Sequence, residues 1–315
     1  MSGSGARHQL SELDRLLGQL AILADRPRHL EELPGGLTNR NIKVTTPDGV
    51  YVARCSGPGA ALLGIDRDNE FYNTRAAEQA GVGAPVIDYR PDLGILLVGF
   101  LEGRTLNNAD MDDPVVLDRV AAGCRTLHGG PRFRDEFDMF ALQPAYLTTL
   151  TERGLPIPSG YHDYAEHFES IRRVLDATDR TATDPTTMPC NNDLLAANFI
   201  DDGDQLWLID YEYSGNNDPC FELGNIWAEC DLSADQLDHL VTAYYGRGLP
   251  HKTARARLQG IAGKYGWTLW GCLQSATSPI EFDFWDWAMQ RYTSAAAEFS
   301  SPRFRQLLDA AHTSD

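Results

Sequence analysis

At 315 residues the chain is long enough for one large core or for two lobes meeting at a cleft, and the second arrangement is expected. Its 43% hydrophobic and 23% charged residues lie near the average of soluble globular proteins, which excludes disordered and fibrous classes. A formal net charge of −18 disfavours nucleic acid and anionic membrane surfaces as partners and favours cationic ligands.

Residues 9 to 24 repeat Leu, Ile and Ala at helical spacing and stop before Asp25 and Pro27, which predicts an amphipathic leading helix packed on the lobe that follows. The N-terminus lacks a basic segment followed by an apolar core, so no export signal is read there. From Leu30 the period shortens to that of strands: a run ending in PGGLTN, then Asn41 to Thr45, a Pro47-Asp48-Gly49 turn and Val50 to Arg54. Asp66 to Gln79 reads as a helix ending at Gly81, and Val86 to Tyr89 and Ile95 to Phe100 read as strands joined by a Pro91-Asp92 turn. The apolar run Leu93 to Leu101 is about half the length that a membrane-spanning helix requires. A small antiparallel sheet carrying one helix is therefore expected up to this point.

After Gly103 the pattern is helical, with Pro114 to His128 the clearest segment. The exception is Pro189 to Asp210, where Asn198 to Ile200 and Leu206 to Ile209 form two short β runs around an Asp202-Gly203 turn. The six cysteines (Cys55, Cys124, Cys190, Cys220, Cys230 and Cys272) include no CxxC pair, so free thiols in a reducing cytoplasm are expected rather than a zinc site or a disulfide framework. No internal repeat is evident. The fold class expected is α+β, a two-lobed protein-kinase-like layout. Residues 1–101 are expected to form a β-lobe with its leading helix, and residues 102–315 a helical lobe containing the hairpin.

Phosphoryl transfer needs phosphates cradled, their charge neutralised and the acceptor hydroxyl set in line. Gly35 and Gly36 let backbone N–H groups approach a phosphate closely, and Thr38 and Asn39 follow in the same hairpin; an ordinary β-turn is the plainer reading. There is no GxxxxGK[ST], and none of the three lysines (Lys43, Lys252, Lys264) falls on the strand where a kinase-like fold places one. Arg54 stands there instead, able to fork onto phosphate oxygens, with Glu70 on the next helix to hold it. The sharpest signal is Asp193 and Asn198 in the run NDLLAAN, followed after a hairpin by Asp210 in LIDYE. This matches D-x-x-x-x-N and a metal-binding Asp, a set of hard oxygen donors suited to magnesium.

The runs GGLTNRNIKVTTPDG, CNNDLLAANFI and LIDYEYSGNNDPCFELGN resemble choline/ethanolamine kinases, relatives of aminoglycoside phosphotransferases. The resemblance covers roughly residues 30 to 300. It implies an ATP-dependent phosphotransferase in which Asp193 orients or deprotonates the acceptor hydroxyl, Asn198 and Asp210 bind magnesium and Glu212 assists. It also implies that Arg54 and Glu70 anchor phosphates while the backbone at Gly99, Phe100 and Leu101 faces adenine. Where the family motif reads His-Asn-Asp, this chain has Asn191-Asn192-Asp193.

Four of the six tryptophans fall between Lys264 and Trp287. A quaternary ammonium has no N–H to donate and is held by aromatic faces with a carboxylate nearby. By resemblance Trp267, Trp270 and Trp287 line a choline pocket with Glu229, while Ala234 stands where the family has a further tyrosine. Burial in the core is the competing reading, since helical spacing also marks a packed face. The reading is phosphorylation of choline with ATP and magnesium, in the cytoplasm and without membrane insertion. Ethanolamine or an aminoglycoside-like amine as acceptor, and a catalytically silent descendant, are the alternatives. Trp207, Trp227 and His128 are read as structural.

Overall fold

The structure is a computed structural model that describes residues 11–57, 59–178 and 187–312. Period-two alternation builds its first sheet. Strands β1 (His29–Glu32), β2 (Asn39–Thr46), β3 (Gly49–Ser56), β4 (Val86–Arg90) and β5 (Ile95–Gly99) lie in the order β1-β2-β3-β5-β4, each neighbouring pair antiparallel. Ile42, Val44, Ala53, Ile95 and Leu97 point to one face, where they meet Leu13, Leu17, Leu20 and Leu23 of the leading segment. Leu96 and Val98 point to the other, against Phe71.

The leading helix is shorter than its pattern. Residues 11–17 (α1) are helical, and residues 9 and 10 lie outside the described residues. Beyond Gly18 the bonds tighten to i→i+3, from Gln19 N to Leu16 O and from Leu20 N to Leu17 O. The stop falls at Gly18, and Arg28 braces it: it reaches the Asp14 carboxylate at 2.6 Å and donates to the carbonyl oxygens of Asp14 and Leu23. Helix α2 (Arg67–Ala80) follows its local signals, capped by Asp66 at the N-terminus and closed by Gly81 in the left-handed region. Asn69 and Asn73 on its buried face donate to Ser214 O at 3.0 and 3.1 Å, tying the small lobe to the large one.

The second lobe holds β6 (Arg104–Thr105), α3 (Pro114–His128), α4 (Met139–Glu152), α5 (Ala165–Thr178), β7 (Met188–Cys190), β8 (Phe199–Asp201), β9 (Leu206–Leu208), β10 (Gly215–Asn217), α6 (Pro219–Glu229), α7 (Ala234–Tyr245), α8 (Pro250–Thr277), α9 (Phe284–Ser300) and α10 (Arg303–Ala311). The β8–β9 hairpin matches the expected one within a residue, while β6, which pairs with β8, and the antiparallel β7–β10 pair were not legible from periodicity. Helix α8 runs through the core. It crosses α6 at Gly224 and Gly260, where a Cβ on Gly224 would sit 2.0 Å from Ala256 O, so the backbones touch. That contact brings the end of α6, with Glu229, beside the tryptophans of α8. All six cysteines are free thiols. No helix among the described residues is long and apolar enough to cross a membrane.

Candidate active site

The segment after β7 is shaped by one buried carboxylate. Glu222 on α6 accepts the backbone N–H groups of Asn191 and Asn192 at 2.8 and 2.6 Å, and Asn192 turns there with φ 67. A left-handed Asn is tolerated because its side chain bonds locally, here to the carbonyl oxygens of Cys190, Tyr213 and Gly215. This turn aims Asp193 into a cavity of ≈ 550 Å³. Burial and the facing carboxylates of Glu229, Asp210 and Glu212 push Asp193 well above the usual carboxylate range, with Arg291 pulling the other way.

Asn198 donates from Nδ2 to Asp193 O at 2.7 Å, which leaves its Oδ1 without a partner among the described residues. Asp210 leaves β9 in the left-handed region at φ 66, and its Oδ1 accepts from Arg54 Nη2 at 2.5 Å. The same guanidinium lies 2.9 Å from Glu70, so the Arg54–Glu70 contact is present with Asp210 as a third member. Burial opposes the charge on Arg54, but Asp210, Glu70 and Glu212 outweigh it and hold its pKa above the ordinary value. Arg67 joins the cluster at 2.6 Å from Glu70 and 3.2 Å from Glu212.

Glu212 is already committed: Oε1 accepts from Thr38 Oγ1 at 2.6 Å, and Oε2 accepts from Asn39 Nδ2 at 2.8 Å and from Arg67. Thr38 and Asn39 thus direct their side chains at this carboxylate and latch the glycine hairpin to the large lobe. Gly36, at φ 87, permits the turn, since a Cβ there would meet Asn39 O at 2.7 Å. A second latch runs from Gln274 Nε2 on α8 to Leu37 O at 2.7 Å. Gly35, Gly36 and Thr38 therefore line the same cavity as Asp193. Gly99, Phe100 and Leu101 line a second cavity of ≈ 420 Å³, which shares Arg54 and Asp210 with the first. Within that segment Gly99 N and Phe100 N donate to Pro85 O and Val50 O, and Leu101 N has no partner among the described residues.

Trp267, Trp270 and Trp287 border the same first cavity. Trp267 and Trp270 are only 4% and 5% exposed, so core burial and cavity lining describe the same rings. Tyr213 joins them, accepting from Trp270 Nε1 at 2.6 Å and standing edge-on to Trp267 at 4.9 Å between centroids. Trp287 lies 5.1 Å from Trp270. Glu229 is not free: Arg291 Nη2 donates to it, and the guanidinium rests 3.7 Å above the Trp287 ring.

The family model for choline/ethanolamine kinase matches residues 30–240, about two thirds of the chain. This chain belongs to the choline/ethanolamine kinase family. It is 28% identical over 273 residues to Protein LicA of Haemophilus influenzae, covering 83% of this chain and 77% of that one. A probable ethanolamine kinase of Arabidopsis thaliana is 24% identical over 295 residues, covering 84% and 77%. The crystal structure of a choline/ethanolamine kinase family protein from Mesorhizobium loti superposes with a TM-score of 0.82 at 30% identity, covering 96% of this chain and 99% of its own. The kinase therefore has the two-lobed fold expected from its sequence.

In this kinase Asn191 fills the position of the family histidine without leaving a gap. Its Nδ2 donates to the carbonyl oxygens of Ile209 and Asp210 at 3.1 and 3.0 Å, and its Oδ1 accepts from Asp193 N at 3.1 Å. One buried amide thus fixes Asp193 relative to Asp210, which disfavours a silent descendant. Asn191→Ala is expected to lower kcat by roughly 10²-fold through misplacement, with both KM values nearly unchanged. Steady-state kinetics check this; an unchanged kcat would show that the loop holds itself. His128, read as structural, is buried with Nδ1 2.7 Å from Tyr244 Oη and lines neither cavity. Sequence reasoning missed Glu222, Tyr213, Arg67 and Arg291. Only Arg67 and Arg291 carried a local signal, lying three residues before Glu70 and four after Trp287.

Proposed function

We propose that this kinase transfers the γ-phosphoryl group of ATP to the hydroxyl of choline. The observation that carries the reading is that Asp193, Asn198 and Asp210 line the same ≈ 550 Å³ cavity as Trp267, Trp270 and Trp287. A small amino alcohol bound in that cavity would present its hydroxyl to Asp193 and its ammonium to the rings. Asp193 accepts or orients the hydroxyl proton, a role suited to a carboxylate whose proton affinity is raised. Arg54, braced by Glu70, meets the phosphates, and the Gly99–Leu101 backbone meets adenine.

The donor set fits magnesium. Asn198 Oδ1 and the second carboxylate oxygen of Asp210 are hard oxygens with no partner among the described residues. These two would hold the ion. Glu212, with both oxygens taken by the hairpin latch, supports it only indirectly. When bound, magnesium supplies charge neutralisation at the transferring phosphate.

Choline is favoured over ethanolamine because the walls around the ammonium are aromatic faces, which a quaternary cation uses and a primary ammonium cannot fully replace with hydrogen bonds. A coupled ADP-release assay across choline, ethanolamine and an aminoglycoside tests the proposal; the highest kcat/KM is expected for choline, and a better rate with either other acceptor would refute the choice. Trp270→Phe keeps a ring but weakens its quadrupole and removes the hydrogen bond to Tyr213. It is expected to raise the choline KM roughly three- to tenfold with little change for ATP. Equal increases for both substrates would return these rings to a purely packing role.

A further inference from the structure

Trp287 is one of the rings that the proposed reading gives to the substrate ammonium and Glu229 is the acid that the family resemblance places beside it, yet a cation of the protein already holds both. Arg291 donates to the Glu229 carboxylate and lays its guanidinium 3.7 Å above Trp287. The pair is well shielded, with 6% of the Glu229 side chain and 19% of the Arg291 side chain exposed. Arg291 Nε is buried without a hydrogen-bond partner among the described residues. The carboxylate and the ring together, rather than a full set of hydrogen bonds, hold this guanidinium.

Resting on the proposed reading of the cavity, we infer that Arg291 is a specificity-determining residue that selects against primary ammonium acceptors. A primary ammonium carries three N–H donors and leaves water at a high cost unless each finds an acceptor. With Arg291 in place, Glu229 is the charge partner of a guanidinium, and an incoming ammonium must share it or displace a shielded ion pair. A quaternary ammonium asks for no acceptor. It needs aromatic faces and diffuse negative potential, which Trp267, Trp270, Tyr213 and the nearby carboxylates supply without disturbing Arg291. The arginine therefore leaves choline recognition largely intact and penalises ethanolamine.

Arg291→Met keeps the bulk of the side chain and releases both Glu229 and the Trp287 face. It is expected to shift the ratio of choline to ethanolamine kcat/KM toward ethanolamine by about tenfold or more, with the calorimetric affinities of the two amines moving in the same direction in the absence of nucleotide. The double substitution Glu229→Gln with Arg291→Met removes the acid as well, and its ratio should return toward choline. If Arg291→Met does not fold, Arg291→Lys supplies the test, because a lysine loses the planar fork and should give a smaller shift of the same sign. A ratio unchanged while both amines weaken equally overturns the inference and leaves Arg291 as a strut for α9. The direction of the shift is read independently of which amine the unsubstituted kinase prefers. Preference for ethanolamine there refutes the choline assignment alone, whereas binding of neither amine overturns both.

Discussion

Asp193→Ala is expected to lower kcat by on the order of 10²–10⁴-fold, the range for removal of a positioned general base, with the ATP KM nearly unchanged. The side chain lines the first cavity and not the second, so under the proposed reading the loss falls on the reacting hydroxyl. The same substitution should not harm the fold. Burial and the Glu229, Asp210 and Glu212 carboxylates raise this pKa, which means that the folded state disfavours the charged form. A raised carboxyl contributes stability at low pH that is lost as pH rises through its folded-state pKa. Without magnesium, Asp193→Ala should therefore match or exceed the parent protein in Tm at neutral pH, and its advantage should shrink toward acidic pH. A lower Tm at neutral pH, or a kcat within a few-fold of the parent, would contradict the role assigned to Asp193.

The second large effect is expected at Asp210. Asp210→Asn conserves volume, and Asn accepts the left-handed conformation observed there at φ 66, so no backbone strain is added. What changes is charge: Arg54 loses one of two carboxylate partners and keeps Glu70, while the proposed magnesium site loses its only uncommitted carboxylate oxygen. Turnover should fall by on the order of 10³-fold, as when a preorganised electrostatic group at the transferring phosphate is lost. The Tm should move little. Calorimetric titration of magnesium with a non-hydrolysable ATP analogue should show weakened binding. Retention of most of the parent kcat would remove Asp210 from the metal site.

Local chemistry made much of this structure legible. Asp66 as a cap, Gly81 as a stop, the Asp202-Gly203 turn, the alternation in β2 and β3 and the short apolar run of β5 each act within a few residues, and each lies within a residue or two of where the sequence points. The Asp193, Asn198 and Asp210 constellation was legible because two of its members share one loop and the third follows a single hairpin. What stayed hidden depends on partners distant in sequence. Glu222 grips the loop from 30 and 31 positions away, Thr38 reaches Glu212 across 174, and Arg291 reaches Glu229 across 62. The leading helix was overextended: its regular bonding ends at Gly18, where Arg28 from outside the pattern also holds the Asp14 carbonyl oxygen. Glu212 was expected beside the metal; its position in the sequence gave no hint that Thr38, Asn39 and Arg67 would take its oxygens first.

The central claim is that one cavity delivers the hydroxyl of a quaternary amino alcohol to Asp193. Its most direct test is phosphorus NMR of the kinase with ATP, magnesium and an equimolar mixture of choline and ethanolamine, which makes the two acceptors compete for a single site. Phosphocholine should accumulate in step with ADP and exceed phosphoethanolamine throughout the reaction. Phosphoethanolamine as the main product, or ADP accompanied only by inorganic phosphate, would contradict it.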